Sequence, residues 1–266
     1  DKYIIVGYGT YGAFIYDNLV RKGVKPNQIN VYDISNKSLK TSNELGFKDF
    51  TTPSSEYKGN TNGRFFGPGG TSNKWGGQFF FFNKYDASRN KIDFIDQLNT
   101  LTNKWKSEIL DWFSLNSYND NELFDKQFSI RNGYWLSPWS RRVQKRSKFR
   151  PSIINKGKLV KIISKNKSIE KLIFCDSSGK FFNVSGEFYF ICPGALEHSR
   201  LFMQSKLICG PLPLGDHVSK PIAVCLGSPT FKGIDFSYKF NFNGLLTKRI
   251  VGNLKNINFY IHPVFN

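Results

Sequence analysis

Residues 3–33 read YIIVGYGTYGAFIYDNLVRKGVKPNQINVYD, and this stretch decides the fold. The apolar run at residues 3–6 predicts a strand. Residues 13–22 have the composition of a helix, and residues 29–32 predict a second strand that ends in Asp33. A strand, a glycine turn, a helix, a strand and a terminal acid follow one another in the order of a βαβ unit.

The turn between the first strand and the helix has the spacing G-x-G-x-x-G. Gly7 permits a tight turn, Gly9 lets the backbone approach a pyrophosphate, and Gly12 lets helix and strand pack closely. The helix N-terminus offers N–H groups and about half a positive charge to phosphates. Asp33 comes about 20 residues after Gly12, at the position where a carboxylate can accept hydrogen bonds from ribose hydroxyls. The pattern predicts a dinucleotide site; the alternative is a βαβ unit whose glycines serve packing only.

A second glycine-rich stretch, GRFFGPGGTSNKWGG, occupies residues 63–77. Long glycine loops inside compact domains are usually functional. Two glycines and two hydroxyl side chains would face phosphate oxygens, namely Gly69, Gly70, Thr71 and Ser72. Trp75, followed by Gly76 and Gly77, would let a planar ring system lie close to the backbone. The alternative is a flexible surface loop.

Further along the chain, residues 159–163, 171–176 and 181–184 predict an antiparallel set of short strands. A strand at residues 187–191 then leads into a glycine turn and a helix start, which predicts a second helix N-terminus facing the ligand. The apolar spacing of residues 92–115 predicts a helix with one core-facing side. By contrast, the proline-containing aromatic stretch at residues 134–139 is expected to be irregular.

The composition is that of a globular protein of 266 residues with a formal net charge of +18. Most of that charge lies between residues 141 and 171, a block that would attract nucleic acid, a membrane surface or anionic substrates. A solvated face is the favoured reading, because no nucleic-acid-binding motif accompanies the block. The four cysteines and three histidines are scattered, which disfavours zinc and favours a reducing, cytoplasmic location. No apolar run is long enough for a membrane span.

Four stretches stand in a recognisable order: GYGTYG at 7–12, GGTSNKWGG at 69–77, ICPGALEHSRL at 191–201 and LGDH at 214–217. Together they resemble the glucose–methanol–choline (GMC) family of FAD-dependent oxidoreductases. The matching branch has a loop that ends in Trp-Gly-Gly and is found among dehydrogenases of sugars and related alcohols. The resemblance extends from residue 3 to about residue 226, with residues 84–147 matching only as an insert.

The resemblance implies a role for each matching residue. The FAD pyrophosphate would be held by Gly7, Gly9, Thr10 and Gly12, and the adenosine ribose by Asp33. Gly69, Gly70, Thr71 and Ser72 would run along the phosphates and ribityl chain, and Trp75, Gly76 and Gly77 would approach the isoalloxazine. Val160 would meet adenine through its backbone, Gly194 and Ala195 would close the nucleotide pocket, and Asp216 and His217 match a family Asp-His pair. Many members carry Glu at the position of Asp33 and Asn-Gly at that of Trp75.

The resemblance also implies an α/β fold. It consists of a Rossmann-like FAD-binding domain with a central parallel sheet and an antiparallel β-meander, and the start of an α+β substrate domain with an antiparallel sheet. The expected FAD-binding domain comprises residues 1–83 and 150–217. Residues 84–149 would form a helical insert, and residues 218–266 part of the substrate domain.

The expected function is oxidation of an alcohol, such as a sugar, by hydride transfer to N5 of FAD. No catalytic residue is assigned, because His262 lacks the sequence context of the family's proton acceptor. Two alternatives stay open: a non-catalytic FAD-binding fragment that needs a partner or a downstream segment, and a basic nucleic-acid-binding protein. A flavin or NAD(P) enzyme with two dinucleotide sites is disfavoured, because G-x-G-x-x-G occurs once. The small-molecule substrate and the electron acceptor are not specified further.

Overall fold

A computed structural model describes residues 2–46, 63–79, 81, 94–115, 123–124, 128–137, 142, 147–208, 221, 224, 226–227, 230–231, 234–236, 239–241, 244–254 and 257–261. The chain divides into two compact units. The first is formed by Asp1–Trp75 with Arg142–Asp216, and the second by Gly76–Arg141 with His217–Asn266. The domain boundaries given above, and the role of each domain, stay predictions.

The described helices are α1 (Thr10–Arg21), α2 (Phe94–Phe113) and α3 (Ala195–Gln204). The described strands are β1 (Tyr3–Val6), β2 (Ile29–Asp33), β3 (Lys40–Thr41), β4 (Phe65–Phe66), β5 (Gln78–Phe79), β6 (Leu123–Phe124), β7 (Phe128–Leu136), β8 (Asn155–Lys156), β9 (Lys158–Lys165), β10 (Ser168–Cys175), β11 (Phe181–Val184), β12 (Phe188–Ile191), β13 (Thr230–Phe231), β14 (Ile234–Asp235), β15 (Lys239–Asn241), β16 (Gly244–Leu254) and β17 (Ile257–Ile261).

The first unit is built on a parallel sheet with the strand order β12-β1-β2-β8. Its central strand β1 is covered on both faces, and Ile4 and Ile5 are fully buried. Near-continuous apolar runs are typical of parallel strands covered on both faces, which is why the sequence of β1 does not alternate. The predicted strands at the start of the chain are therefore confirmed.

On one side of this sheet, β9, β10 and β11 form the predicted antiparallel meander. Their inward residues pack with Ile4, Val6 and Leu201 into one core, together with Leu159, Ile162, Leu172, Phe174 and Val184. Leu201 lies on α3, so this helix closes the same core. Burial of these side chains fixes the meander against the sheet, since burying each stabilises the fold by about 1.5–3 kcal/mol.

Helix α1 packs on the first βαβ turn through a contact that leaves no room for a side chain. A Cβ placed on Gly12 would lie 2.0 Å from the carbonyl oxygen of Gly7 and 3.3 Å from a methyl group of Ile5. Gly7 has a φ of +89°, and a Cβ there would lie 2.5 Å from the carbonyl oxygen of Cys192. Glycine is therefore required at both positions, and these contacts fix where α1 begins.

The second unit contains an antiparallel sheet whose longest pairing joins β7 to β16. Strand β7 includes Tyr134, Trp135 and Leu136, so the expectation of irregular structure from residue 134 was wrong for these three residues. The physical reason is that their partner strand begins at Gly244, and pairing over that sequence distance leaves no local signal. The predicted helix at residues 92–115 is confirmed as α2.

Two arginine side chains are buried where β7 and β16 pair. Arg131 lies directly opposite Arg249, and each is 1% exposed. Arg131 donates a hydrogen bond to the carbonyl oxygen of Phe81, and Arg249 donates one to that of Tyr134 at 3.3 Å. A Cβ on Gly133 would lie 2.5 Å from Nε of Arg249, so a glycine makes room for this side chain.

The α/β fold class is confirmed, with a parallel sheet and an antiparallel meander in one unit and an antiparallel sheet in the other. None of the helices in the described ranges has the length and apolar character needed to cross a membrane.

We predict that Gly12→Ala destabilises the protein by about 1–3 kcal/mol, because the added methyl group must push α1 away from the backbone of Gly7. Gly9→Ala is the matched control: no described atom lies within 4 Å of a Cβ at Gly9. Its cost should stay below about 1 kcal/mol, the effect of alanine at a helix N-cap. Urea unfolding followed by circular dichroism measures both, and equal effects would contradict the packing role of Gly12.

Candidate functional site

The carboxyl ends of β1, β2 and β12 open into a cavity of about 230 Å³. Ligands of open parallel α/β sheets bind at this edge. The cavity wall is made by the glycine turn before α1, the glycine loop around Gly69, the start of β9 and the turn before α3. All of these segments belong to the first unit. The two glycine-rich stretches therefore border one site.

The glycine turn presents open backbone to this cavity. Gly9 is the N-cap of α1, and no side chain within the described ranges caps that helix. The first backbone N–H groups of a helix have no partner inside the helix, so they are suited to an anion. The turn is tied to the second loop, since the N–H of Gly69 donates to the carbonyl oxygen of Tyr8 at 2.7 Å.

A second helix N-terminus borders the same cavity. Gly194 is the N-cap of α3 and has a φ of +91°, a conformation that favours glycine. The described part of the chain places no atom within 4 Å of a Cβ at this position. The carbonyl oxygen of Gly194 accepts the first helical hydrogen bond, from the N–H of His198 at 3.0 Å. The N-termini of two helices therefore make the electrostatic potential in this cavity more positive, which favours an anion.

The carboxylate of Asp33, at the end of β2, hydrogen-bonds to the backbone of the glycine turn. Asp33 is 7% exposed, and its carboxylate accepts the N–H of Tyr8 at 2.7 Å and that of Ser35 at 3.3 Å. Burial raises the pKa of Asp33, and hydrogen bonds from the backbone N–H groups of Tyr8, Ser35, Ile34 and Gly67 offset part of that rise. A carboxylate has about four acceptor positions, so ribose hydroxyls would share or replace these backbone donors.

The two hydroxyl side chains of the glycine loop hydrogen-bond within the loop. The hydroxyl of Thr71 donates to the carbonyl oxygen of Phe65 at 3.4 Å and accepts its N–H at 3.2 Å. The hydroxyl of Ser72 donates to the carbonyl oxygen of Gly69. A hydroxyl has one proton to donate, so both protons are used by the loop's own backbone. In this conformation the two hydroxyl side chains stabilise the loop. The positive electrostatic potential that an anion needs must come from other groups in the cavity.

A cluster of charged side chains supplies that potential. Glu197, in the first turn of α3, pairs with Arg64 at 2.8 Å and with Arg200 at 2.6 Å. Burial would raise the pKa of Glu197, but hydrogen bonds from Arg200 and Arg64 outweigh it and lower that pKa. Lys158 lies near this cluster, and burial together with the charge of Arg200 lowers its pKa.

Most of the predicted site residues line the cavity: Gly7, Gly9, Thr10, Asp33, Gly69, Gly70, Thr71, Ser72 and Gly194. Others do not: Gly12 packs α1 on the turn, Val160 and Ala195 follow lining residues, and Trp75 ends the first unit. Gly76 and Gly77 belong to the second unit, and Asp216 and His217 lie outside the described residues. The binding roles of all these residues stay predictions.

The sequence analysis did not assign a role to four residues at or beside this wall: Arg64, Lys158, Glu197 and Arg200. Glu197 and Arg200 stand in the stretch that carries the resemblance, but the pairing of Glu197 with Arg64 links residues 133 positions apart. The one available signal was a charged Arg64 next to two phenylalanines in a glycine-rich loop. Within the described ranges, no group of three or more His, Cys, Asp or Glu side chains is placed to hold a metal.

No family model matches the chain, and no curated protein matches its sequence. Among solved structures, one match is the crystal structure of pyridoxine 4-oxidase from Mesorbium loti, with a TM-score of 0.45 and 11% sequence identity. It covers 77% of this chain and 51% of that protein. The chain therefore spans about half the length of this neighbour, and a similarity of this size does not assign a function.

We predict that Cys192 reacts slowly with iodoacetamide, because burial raises the pKa of its thiol to about 11. Only the thiolate is reactive, so the rate should still rise about tenfold per pH unit between pH 8 and 10, following the thiolate fraction. Peptide mapping by mass spectrometry isolates Cys192 from the other cysteines. The urea-unfolded chain is the control, and a native rate that levels off near pH 9 would contradict the prediction.

Proposed function

We propose that this chain is an FAD-dependent oxidoreductase, or the FAD-binding part of one, that acts on the CH–OH group of an alcohol such as a sugar. The observation that carries the proposal is the cavity at the ends of β1, β2 and β12, with two glycine-capped helix N-termini on its wall. This arrangement suits a ligand with a pyrophosphate. The sequence resemblance supports FAD as that ligand.

The size of the cavity fits one part of such a cofactor. Its volume of about 230 Å³ is below the roughly 300–1,000 Å³ of pockets that enclose a whole drug-sized ligand. The glycine turn, Asp33 and the turn at Gly194 are suited to the phosphates and the adjoining ribose. We therefore assign the adenosine and pyrophosphate portion to this cavity, and we assign no residue to the flavin ring from its geometry.

The chain's own residues would act by binding and orientation. Backbone N–H groups at Gly9 and Gly194 would face the phosphates, and the carboxylate of Asp33 would accept ribose hydroxyls. FAD, when bound, supplies hydride acceptance at its flavin ring, and the protein's part is to place that ring against the substrate. Asp33 would also keep the turn in shape, since it already holds the N–H of Tyr8.

A second candidate is binding of FAD without turnover. Among the described residues that line the cavity there is no histidine, and His198 directs its Nε2 to the carbonyl oxygen of Ile191. The described lining therefore offers no imidazole as a general base. A panel of alcohols offered to the FAD-loaded protein separates the two candidates: flavin bleaching under anaerobic conditions supports the enzyme, and bound flavin that never bleaches supports the binding fragment.

The cofactor itself is tested by spectroscopy of the purified 266-residue chain. We expect either co-purified flavin, seen as the two visible absorption bands of an oxidised flavin, or uptake of added FAD with quenching of its fluorescence. A protein that contains no flavin and takes up none would overturn the proposal.

We predict that Gly9→Ala weakens FAD binding at least about tenfold, because its methyl group would occupy the open space beside the helix N-terminus where the phosphates are expected. The same substitution should leave the circular dichroism spectrum unchanged, since no described atom lies within 4 Å of the new Cβ. Fluorescence titration with FAD measures the dissociation constant. An affinity equal to that of the unsubstituted chain would place the ligand away from the glycine turn.

A further inference from the structure

A buried carboxylate joins three segments of the cavity wall. Glu197 is 8% exposed and lies in the first turn of α3. One carboxylate oxygen accepts a hydrogen bond at 2.8 Å from Arg64, at the start of the glycine-rich stretch of residues 63–77. The other accepts one at 2.8 Å from Nε of Arg200, one turn further along α3. Arg200 also donates to the carbonyl oxygen of Leu159 at 3.0 Å, which connects the cluster to β9.

The charges of this cluster do not cancel. Two guanidinium groups surround one carboxylate, and Lys158, a lining residue, adds a further positive charge nearby. Asp33 is the other acidic residue of the described lining. Counted with Arg64, which lies beside the lining, the described lining residues hold three cations against the two carboxylates of Glu197 and Asp33, a surplus of one positive charge. Charges in a partly buried site interact more strongly than they do in water.

The remaining polar groups of the cavity cannot supply this charge. The hydroxyl protons of Thr71 and Ser72 are donated to carbonyl oxygens of their own loop. The helix N-termini contribute only about half an elementary charge each, whereas a dinucleotide pyrophosphate carries about two negative charges. Full positive charges from side chains would complete the neutralisation, and guanidinium and ammonium groups are the usual partners of phosphate.

We propose that Lys158 and Arg200, set in place by Glu197 and Arg64, form the charged wall that binds the phosphate groups of the nucleotide. This inference rests on the proposed function and adds to it the residues that recognise the anion. Glu197 is a positioning residue here: it fixes the guanidinium of Arg200, a lining residue, through Nε and Nη2, while Arg64 offsets the charge of its carboxylate. Nη1 of Arg200 donates to Gln204, so Arg200 contributes chiefly its charge to the wall. Without Arg64, Glu197 would neutralise the guanidinium that it positions.

The first test measures ADP binding to the 266-residue chain by calorimetry at low and high salt. Lys158→Gln should weaken ADP binding about tenfold at low salt, the effect of losing one charge-assisted hydrogen bond. At high salt the difference should shrink, because ions screen the interaction. Lys161→Gln is the matched control: it removes the same charge from the same strand, outside the described lining, and should change the affinity less than twofold.

The second test asks whether Glu197 acts by positioning Arg200 or only through its own charge. Glu197→Gln adds net positive charge to the cluster, so charge alone predicts tighter ADP binding. If Glu197 positions Arg200, breaking its ion pairs with Arg64 and Arg200 should weaken ADP binding. We expect the affinity for ADP to fall about fivefold or more. The control Asp17→Asn removes another buried carboxylate, paired with Arg21 at 2.7 Å away from the cavity. It should lower the melting temperature without changing the affinity for ADP.

The outcomes distinguish this inference from the proposed function. A chain that binds FAD and ADP, but whose affinity for ADP is unchanged by Lys158→Gln, overturns the charged wall and leaves the proposed function standing. Tighter or equal binding in Glu197→Gln overturns the positioning role of Glu197. A chain that binds neither FAD nor ADP overturns both the proposed function and this inference.

Discussion

The contact between Gly12 and the carbonyl oxygen of Gly7, where a Cβ would lie only 2.0 Å away, is the constraint on which the candidate site depends. It brings the first turn of α1 directly onto the end of β1. The N-terminus of the helix is therefore fixed at the edge of the parallel sheet rather than displaced along it. A single methyl group at this point would move the N–H groups that border the cavity. Gly12 acts on the ligand site through packing, whereas Gly9 acts by leaving open space beside the helix N-terminus.

The backbone of one residue, Tyr8, connects the rest of the site to that contact. The N–H of Tyr8 donates to Asp33 at the end of β2, and its carbonyl oxygen accepts the N–H of Gly69. Residues from three distant parts of the sequence are thus held by the two polar groups of one residue. The carboxylate at position 33 has a structural role as well as an expected role in binding. Its burial, which raises its pKa, is consistent with this double use.

The sequence predicted those parts of the structure that depend on local signals. The strand, glycine turn and helix at residues 3–22, the meander and the helix α2 each follow from the order of apolar residues and glycines over short distances. Non-local features were missed or misread. Strand β7 extends through Trp135 because β16 pairs with it from more than a hundred residues away, whereas the aromatic composition together with Pro138 had predicted an irregular segment. The ion pair between Arg64 and Glu197 has the same origin.

Shape and charge in this cavity come from different kinds of residue. Glycines create the open space and the close approach of backbone, and the hydroxyls of Thr71 and Ser72 maintain the loop. Neither group carries a full charge, so we expect charged side chains to complete the neutralisation of a bound pyrophosphate. Buried charged side chains need a counter-ion to hold their position. Glu197 provides this counter-ion between Arg64 and Arg200, so an acidic residue in this wall is compatible with the anion binding that we propose.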